Sequence, residues 1–360
     1  MVYKINNTSL FLESNRKFSL RENYINDPSD DECTIKVSHC GVCSSDILRS
    51  GFNKSYHYPL VMGHEFSGII EKIGKNVKSF NVGDHVTIFP LLPCFDCEFC
   101  KINEYVKCKN YSYYGSRTDG AYSTRINVKS WNIVKISNTI DLKDACFVEP
   151  MSVAVHTIDK INFTKKDRLK ILIIGAGFIC NLMIQILHKN YKNIEIICID
   201  RNQSKLDFIN KYVTKTFCTA NSNEWSLFSK EYKNFFDITI EGSGSPEMYT
   251  NSINFTNANG DLIWMNNIDN DLILKQSQVS EILRKELNII GVWNSFFKKN
   301  DKDDWAKTLK LIEEGIKPSD LVSHWTTLSQ LPELLNKVYD HKDRKVLFKF
   351  NKIAIDLFNS

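Results

Sequence analysis

The sequence has 360 residues, a formal net charge of +4, 42% hydrophobic residues and 24% charged residues. These values are typical of a globular protein with about two domains of roughly 150 residues each. Lysine and arginine are interspersed with acidic residues rather than gathered in blocks. This pattern argues against nucleic-acid binding and against binding to a membrane surface.

No export signal or membrane anchor is predicted. Residues 1–20 contain neither an apolar core nor a small-residue cleavage site, so we expect a cytoplasmic protein. Ile171–Leu187 is almost wholly apolar, but it is shorter than the ~20 residues that a membrane-spanning helix needs. In a reducing cytosol, the eleven cysteines favour metal binding over disulfides.

Residues 1–150 predict a β-rich domain of short strands and loops. Alternating polar and apolar residues predict strands at Thr34–Ser38, Phe66–Ile73 and His85–Phe89. Turn-forming residues such as Asn81–Asp84 separate these strands.

The same region contains a candidate catalytic zinc site formed by Cys43, His64 and Glu149. A catalytic zinc ion typically has three protein ligands and one open position. We expect Asp46 to hydrogen-bond the second ring nitrogen of His64 and so fix its tautomer. Cys40 and Cys43 also match a redox Cys-x-x-Cys motif, but no thioredoxin-like βαβ pattern surrounds them.

Four further cysteines, Cys94, Cys97, Cys100 and Cys108, follow the spacing Cys-x2-Cys-x2-Cys-x7-Cys. Short spacers allow one tight loop to place several thiolates around one ion, and four thiolates form a closed, structural zinc site. An iron–sulfur cluster makes similar demands on its ligands and stays an alternative. A zinc site of this kind has no open position and is expected to do no chemistry.

From about residue 168 strands and helices alternate, which predicts a parallel sheet with helices on both faces. Helical spacing of apolar residues predicts a helix over Phe178–Leu187, and Ser204 is expected to cap the next helix. Trp305–Glu314 is predicted to be helical. The predicted strands are Leu169–Ile174, Ile194–Ile199, Phe236–Ile240, Asp261–Met265 and, near the end of the chain, Val346–Phe350.

The segment from Gly175 to Cys180 follows a strand and opens a helix, as a dinucleotide fingerprint does. Gly175 permits the tight turn, and Gly177 lets the backbone approach the pyrophosphate at the helix N-terminus. Phe178 and Ile179 begin that helix and are included in the predicted cofactor site. Cys180 replaces the usual third glycine or alanine, so we expect a slightly displaced helix that still binds the cofactor.

Asp200 ends the second predicted strand, 20 residues after Cys180. A carboxylate at this position hydrogen-bonds the ribose hydroxyls and repels a 2′-phosphate, which predicts NAD rather than NADP. Arg201 is also assigned to the cofactor site, and its positive charge weakens that preference.

Together these motifs resemble the zinc-dependent medium-chain dehydrogenases, the superfamily of alcohol, sorbitol and threonine dehydrogenases, over essentially the whole chain. The resemblance implies an α/β protein with a GroES-like β-rich catalytic domain at 1–150 and a Rossmann domain at 151–290. The Rossmann domain is a doubly wound parallel sheet that binds NAD, and residues 291–360 return to the catalytic domain. The resemblance also implies two zinc ions per chain and a homodimer or homotetramer.

The same resemblance assigns roles to individual residues. Cys43, His64 and Glu149 match the catalytic zinc ligands, and the four-cysteine motif matches the structural zinc. Glu65 matches a residue that in some members binds zinc or exchanges with water. We expect Ser45 to hydrogen-bond the substrate oxygen and to pass its proton onward.

The sequences at residues 90–95, 115–120 and 282–287 most resemble the galactitol-1-phosphate 5-dehydrogenases within this superfamily. They imply hydride transfer between NAD and a secondary alcohol of a polyol or sugar phosphate. Arg117, with Ser116 beside it, is the candidate phosphate-binding residue. An equally weighted interpretation is that Arg117 is a solvent-exposed loop residue with no role in binding. Unphosphorylated polyols, L-threonine and an aminocyclitol stay as alternative substrates, and a non-catalytic protein that binds zinc and NAD stays as an alternative class.

Overall fold

The computed structural model describes residues 4–268, 270–299, 302–343 and 351–358. Its strands are β1 Lys4–Ser14, β2 Lys17–Asn26, β3 Glu32–Val42, β4 Leu60–Val61, β5 Glu65–Ile73, β6 His85–Ile88, β7 Leu91–Leu92, β8 Ser112–Tyr113, β9 Arg125–Lys129, β10 Ile133–Lys135, β11 Leu169–Ile174, β12 Ile194–Asp200, β13 Lys215–Cys218, β14 Phe236–Glu241, β15 Thr256–Trp264, β16 Asn288–Gly291, β17 His324–Thr326 and β18 Ile353–Asp356. Its helices are α1 Ser44–Gly51, α2 Glu98–Lys101, α3 Leu142–Ala145, α4 Val148–Ile158, α5 Phe178–Asn190, α6 Gln203–Ile209, α7 Ser222–Glu231, α8 Pro246–Phe255, α9 Gln276–Lys285, α10 Asp304–Glu313 and α11 Leu331–Asp343. The chain divides into two compact units, Met1–Ser152 with Ser295–Ser360, and Val153–Asn294.

The first unit is built around a sheet whose strands lie in the order β10-β6-β5-β3-β18-β17, with β9 also paired to β3. β3 is buried along nearly its whole length, and it pairs with the antiparallel neighbours β18, β5 and β9. A separate hairpin of β1 and β2 pairs with β4. The strands predicted in this region are present, whereas the hairpin at Lys4–Asn26 was not predicted.

Helix α1 is held against α11 by a close contact at its last turn. The ring of Tyr339 fills the space that a side chain at Gly51 would need, so glycine is required there for steric reasons. The hydroxyls of Ser50 and Tyr339 lie 2.6 Å apart and hydrogen-bond each other inside the core. This contact fixes the axis of a helix whose first turn carries several of the predicted site residues.

The second unit contains a six-stranded parallel sheet in the order β13-β12-β11-β14-β15-β16. The order runs outward in both directions from β11 and β14, which confirms the predicted doubly wound arrangement. The central strands consist of buried apolar residues, as expected for a sheet covered on both faces. In the part of the chain that the structure describes, none of the helices has the length and apolar character that crossing a membrane requires.

Three details of the predicted elements differ from the structure. Helix α6 is capped by Asn202, whose side chain accepts the backbone N–H of Ser204, so the prediction that Ser204 is the cap is wrong. β15 begins at Thr256, five residues before the predicted start. The predicted strand Val346–Phe350 lies outside the described residues, and the last described strand is β18.

The unusual Cys180 of the glycine-rich segment faces a second glycine. Cys180 lies in the first turn of α5 and is buried. Its sulfur occupies the space that a side chain at Gly242 would need, just after β14 ends. The larger residue in the helix is therefore accommodated by the absence of a side chain on the neighbouring strand.

We predict that Gly242→Ala destabilises the protein by about 1–3 kcal/mol, because the added methyl overlaps the Cys180 sulfur. Cys180→Gly in the same chain should restore most of that loss. Chemical unfolding of the single and double variants measures the effect. Gly291→Ala is the control, since nothing lies within 4 Å of its added methyl. Equal stability of Gly242→Ala and the wild type would contradict the packing argument.

Candidate active site

Cys43 is placed by the local chemistry of the helix that follows it. It is the N-cap of α1, and its sulfur accepts the backbone N–H of Ser45 at 3.5 Å. Its own backbone N–H donates to the Asp46 carboxylate at 3.1 Å. This reciprocal pair is a capping box, which satisfies N–H groups that the helix would otherwise leave unpaired. The Cys43 thiol is therefore held in a fixed position at the N-terminus of α1.

His64 and Glu65 lie where the chain leaves β4 and enters β5. Gly63 before them has a φ of +95°, and the ring of Tyr122 blocks the space for a side chain at that position. Metal-ligating atoms of Cys43, His64 and Glu65 all lie within 4.8 Å of one another. A thiolate, an imidazole and a carboxylate are ordinary zinc ligands, so this donor cluster fits a zinc ion.

The carboxylate of Asp46 contacts three side chains around the donor cluster formed by Cys43, His64 and Glu65. It is fully buried, and Oδ1 accepts from Arg49 at 2.8 Å and lies 3.5 Å from His64 Nδ1. Oδ2 accepts from the hydroxyl of Tyr122 at 3.2 Å. Burial alone would raise the pKa of Asp46, but His64 and Arg49 hold it below its ordinary value. Because Nδ1 faces this carboxylate, Nε2 is the ring nitrogen available to a metal.

The pKa of His64 reflects the same surroundings. Burial alone would lower it, but the Asp46 carboxylate and the Cys43 sulfur raise it well above the ordinary value. The raised pKa favours the protonated imidazole of His64. Metal ligation requires the neutral ring, so a bound cation would replace the added ring proton.

Glu65 is paired with a lysine from the distant end of the chain. Lys352 Nζ donates to Glu65 Oε1 at 2.7 Å, and both side chains are buried. Burial alone would lower the pKa of Lys352, but Glu65 raises it. The two residues are 287 positions apart, and no feature of the sequence around Lys352 indicates this contact.

Glu149 lies in the first turn of α4 and is buried beside the donor cluster, but it is not part of it. Its Oε1 accepts from the hydroxyl of Tyr113 at 3.0 Å. Burial raises the pKa of Glu149, and the charge of Glu65 adds to that rise. The assignment of Glu149 as the third zinc ligand stays a prediction, because the described carboxylate within the donor cluster is that of Glu65.

The other predicted substrate residues lie in two places in the first unit. Ser45 is half-buried in the first turn of α1. Ser116 is buried, and Arg117 follows it in a loop attached to the His64 segment by a hydrogen bond from Gly120 N–H to the carbonyl of Val61 at 2.7 Å. The Arg117 guanidinium lies 4.1 Å from the ring of Tyr111 and 4.8 Å from the ring of Tyr56.

The four-cysteine loop is assembled as its spacing predicts. The ligating atoms of Cys94, Cys97, Cys100 and Cys108 lie within 4.8 Å of one another. The Cys100 sulfur is 3.9 Å from that of Cys94 and 3.6 Å from that of Cys97. A tetrahedron with zinc–sulfur bonds of about 2.3 Å has edges of about 3.8 Å, so the thiols fit one zinc ion. An iron–sulfur cluster of several irons would hold them farther apart.

The thiols of this loop differ in acidity. Backbone N–H groups of Lys109 and Cys100 lower the pKa of Cys97 to about 6, whereas burial raises that of Cys100 to about 12. Phe95 and Tyr105 each lie 4.9 Å from the ring of Trp131, and these contacts fix the loop on the body of the first unit.

The predicted nucleotide residues gather at the carboxyl end of β11 in the second unit. Gly175 has a φ of +100°, and Gly177 is the N-cap of α5, whose first residues are Phe178 and Ile179. Nothing lies within 4 Å of a side chain built on Gly177, so its backbone is open to a close approach by a ligand.

Asp200 is tied to the glycine-rich turn. Its Oδ2 accepts the backbone N–H of Ala176 at 2.7 Å, and its Oδ1 accepts that of Asn202 at 2.7 Å. Arg201 is exposed beside it.

The sequence analysis did not predict a role for Glu241. This residue is fully buried at the end of β14, where its carboxylate accepts the backbone N–H groups of Ser243 and Gly244. Burial raises the pKa of Glu241.

Comparison with known proteins agrees with this architecture. A family model described as the alcohol dehydrogenase GroES-like domain matches residues 29–138. Galactitol 1-phosphate 5-dehydrogenase of Escherichia coli (strain K12) is 30% identical over 301 residues, which cover 82% of this chain and 85% of that protein. D-arabinitol dehydrogenase 1 of Uromyces fabae is 27% identical over 350 residues, or 96% and 97% of the two chains. The crystal structure of galactitol-1-phosphate dehydrogenase from Escherichia coli superimposes with a TM-score of 0.85 and 26% identity, covering 97% of this chain and 99% of that one.

We predict that Asp46→Asn weakens metal binding to the donor cluster by about 10- to 100-fold, because the amide no longer orients His64 with a full charge. Competition against a chromophoric chelator measures the affinity. Asp303→Asn is the control, since Asp303 is also buried and caps a helix through backbone N–H groups. Unchanged metal affinity in a folded Asp46→Asn variant would contradict the role given to this carboxylate.

Proposed function

The chain belongs to the zinc-dependent medium-chain dehydrogenases, a family of alcohol and polyol oxidoreductases, and from this premise we propose a specific reaction for it. It transfers a hydride between NAD and a secondary alcohol of a polyol or sugar phosphate similar to galactitol 1-phosphate. The observation that carries the proposal is the donor cluster, in which a thiol, an imidazole and a carboxylate lie within 4.8 Å of one another. Relatives named for galactitol 1-phosphate and D-arabinitol support this class of substrate.

In this proposal Cys43 and His64 hold a zinc ion together with a carboxylate, for which Glu65 is the better placed and Glu149 the other candidate. Zinc, when bound, supplies Lewis acidity to the reacting oxygen. Ser45 accepts the proton of the substrate hydroxyl and passes it onward. The hydride acceptor chemistry is that of the nicotinamide ring.

Cofactor preference rests on Asp200 in this proposal. Its carboxylate ends β12 and accepts hydrogen bonds from the turn that would face the pyrophosphate. The remaining lone pairs suit ribose hydroxyls, and the negative charge opposes a 2′-phosphate. Because relatives of known structure have been described with NADP and with NADH, the preference for NAD is tested together with turnover.

We predict that Cys43→Ser and His64→Ala abolish NADH formation, because each removes a zinc ligand, while NADH still binds to the second unit. Absorbance of NADH measures turnover with NAD and NADP in parallel, and fluorescence titration measures cofactor binding. Cys33→Ala is the control for a buried thiol on the preceding strand. Turnover that persists in either site variant would rule out the zinc mechanism, and a wild type without turnover on any alcohol would favour the non-catalytic alternative.

The argument for a phosphorylated substrate rests on Arg117. Its guanidinium lies near the rings of Tyr56 and Tyr111, and Nη1 donates to the carbonyl of Tyr111 at 2.8 Å. Within the described residues Arg117 has no carboxylate partner, in contrast to Arg125, which pairs with Glu71 at 2.6 Å. A planar guanidinium whose orientation is fixed and which has no carboxylate partner among the described residues suits bidentate binding of a phosphate.

We predict that Arg117→Ala raises KM for polyol phosphates by about 10- to 100-fold, the usual effect of losing a charge-assisted hydrogen bond. KM for free polyols should change less than about twofold. NADH formation with matched free and phosphorylated polyols checks this. Arg168→Ala is the control, because Arg168 is exposed and pairs with Glu195. If the wild type shows no advantage for phosphates, the substrate is a free polyol and the sugar-phosphate assignment is wrong.

A further inference from the structure

Trp131 joins the four-cysteine loop to a segment that is distant from it in the sequence. Phe95 and Tyr105 of the loop each lie 4.9 Å from the half-buried Trp131 ring, and both meet it edge to face. The ring of Phe297 also meets it edge to face, with centroids 5.5 Å apart. Lys299 lies two residues after Phe297, and its Nζ donates to the Trp131 carbonyl at 2.9 Å. One tryptophan is therefore in contact with both segments.

Residues 295–299 are the point at which the chain returns from the second unit to the first. They form neither helix nor strand. The ring of Phe297 stacks on that of Phe89, with centroids 4.1 Å apart, and the backbone N–H of Lys299 donates to the Asp303 carboxylate at 2.8 Å. Because this segment lies outside the backbone hydrogen-bond ladders of helices and sheets, its position depends on contacts of this kind.

Phe95 and Lys299, which reach Trp131 from the two segments, share an unusual backbone conformation. Their φ angles are both +58°, in the left-handed region that side chains other than glycine seldom adopt. Such a conformation persists where the surrounding contacts determine it. For Phe95 these contacts are the Trp131 ring and the Cys100 sulfur, which accepts its backbone N–H. The conformation of Phe95 is therefore tied to the thiols of the loop.

The contact between Phe95 and Trp131 is the one most exposed to a change in the loop. Phe95 directly follows Cys94, and its N–H faces the Cys100 sulfur. An ion that binds both sulfurs fixes the backbone of Phe95 at two points. Without the ion, N–H···S contacts are left to hold a ring that is 54% exposed. Loss of the ion should therefore release this ring first.

We propose that the four-cysteine loop controls the local stability of residues 295–299 in a metal-dependent way, through Phe95 and Trp131. With the ion bound, Phe95 is held against Trp131, and Trp131 supports Phe297 and Lys299. Without the ion this support is lost, and residues 295–299 open locally while the sheet of the first unit stays folded. The proposal concerns the metal site that does no chemistry, so it does not rest on the proposed reaction.

Hydrogen–deuterium exchange of the full-length protein, followed by mass spectrometry, measures opening of residues 295–299 without any turnover. We expect Cys97→Ser, which removes one ligand of the loop, to speed exchange in this segment by about 10-fold, because edge-to-face ring contacts are lost. Trp131→Leu should give a similar increase with the ion still bound. The two changes together should add little to either alone, because they act through the same contacts. The zinc content of each variant is measured in parallel.

Two variants are matched controls. Cys43→Ser removes a thiol from the donor cluster instead, and it should leave exchange at residues 295–299 unchanged. Phe99→Leu changes another ring of the four-cysteine loop, which faces Lys109 at 5.9 Å, and it should also have no effect there. If Cys97→Ser does not fold, Phe95→Ala keeps all four thiols and should produce the increase by itself.

Wild-type exchange at residues 295–299 in folded Cys97→Ser or in Phe95→Ala overturns the proposal. An equal increase in Cys43→Ser contradicts it as well, since the effect would then not belong to the four-cysteine loop. Exchange at Thr34–Val37 of β3 reports the sheet of the first unit. A matching increase there would mean that the whole unit is destabilised, which also contradicts local control. Turnover on any alcohol does not enter this test.

Discussion

The buried carboxylate of Asp46 is the constraint on which the candidate site depends. It closes the capping box that holds Cys43 at the start of α1, and it faces the ring of His64. Arg49 and the hydroxyl of Tyr122 supply the hydrogen bonds that make burial of this charge acceptable. One acidic side chain thereby joins a helix start, a glycine-dependent turn and a core tyrosine. The relative position of thiol and imidazole follows from that junction.

The two candidate metal sites are built in opposite ways. The four-cysteine loop draws every ligand from a short stretch, Cys94–Cys108, so its geometry depends on local turns and little on the rest of the fold. The donor cluster takes Cys43 from a helix N-cap and His64 and Glu65 from the start of a strand. Lys352, which pairs with Glu65, comes from the last strand region of the chain. A closed shell of four thiolates suits a structural ion, and a mixed ligand set with an open coordination position suits catalysis.

In the predicted nucleotide-binding segment, two contacts between residues distant in sequence fix the local geometry. Cys180 departs from the usual glycine or alanine, and the space for its sulfur is provided by Gly242 on a strand that is distant in sequence. Asp200 is likewise not a free carboxylate, because it accepts the backbone N–H of Ala176 and so stiffens the turn. Both contacts lie at the carboxyl ends of the strands where the order of the sheet reverses, which is where ligands bind in such sheets.

The features that depend on neighbours along the chain could be predicted from the amino-acid sequence alone. The thiol loop, the central strands of the parallel sheet and the glycine-rich turn were all predictable, because spacing and periodicity encode local geometry. The tertiary structure was needed to show that the Glu65 carboxylate lies within 4.8 Å of the Cys43 and His64 ligand atoms, since Glu65 and Glu149 are equally plausible as residue types. The hydrogen bond from Tyr113 to Glu149 and the ion pair of Lys352 with Glu65 join residues distant in sequence, and such contacts leave no periodic signal in the sequence.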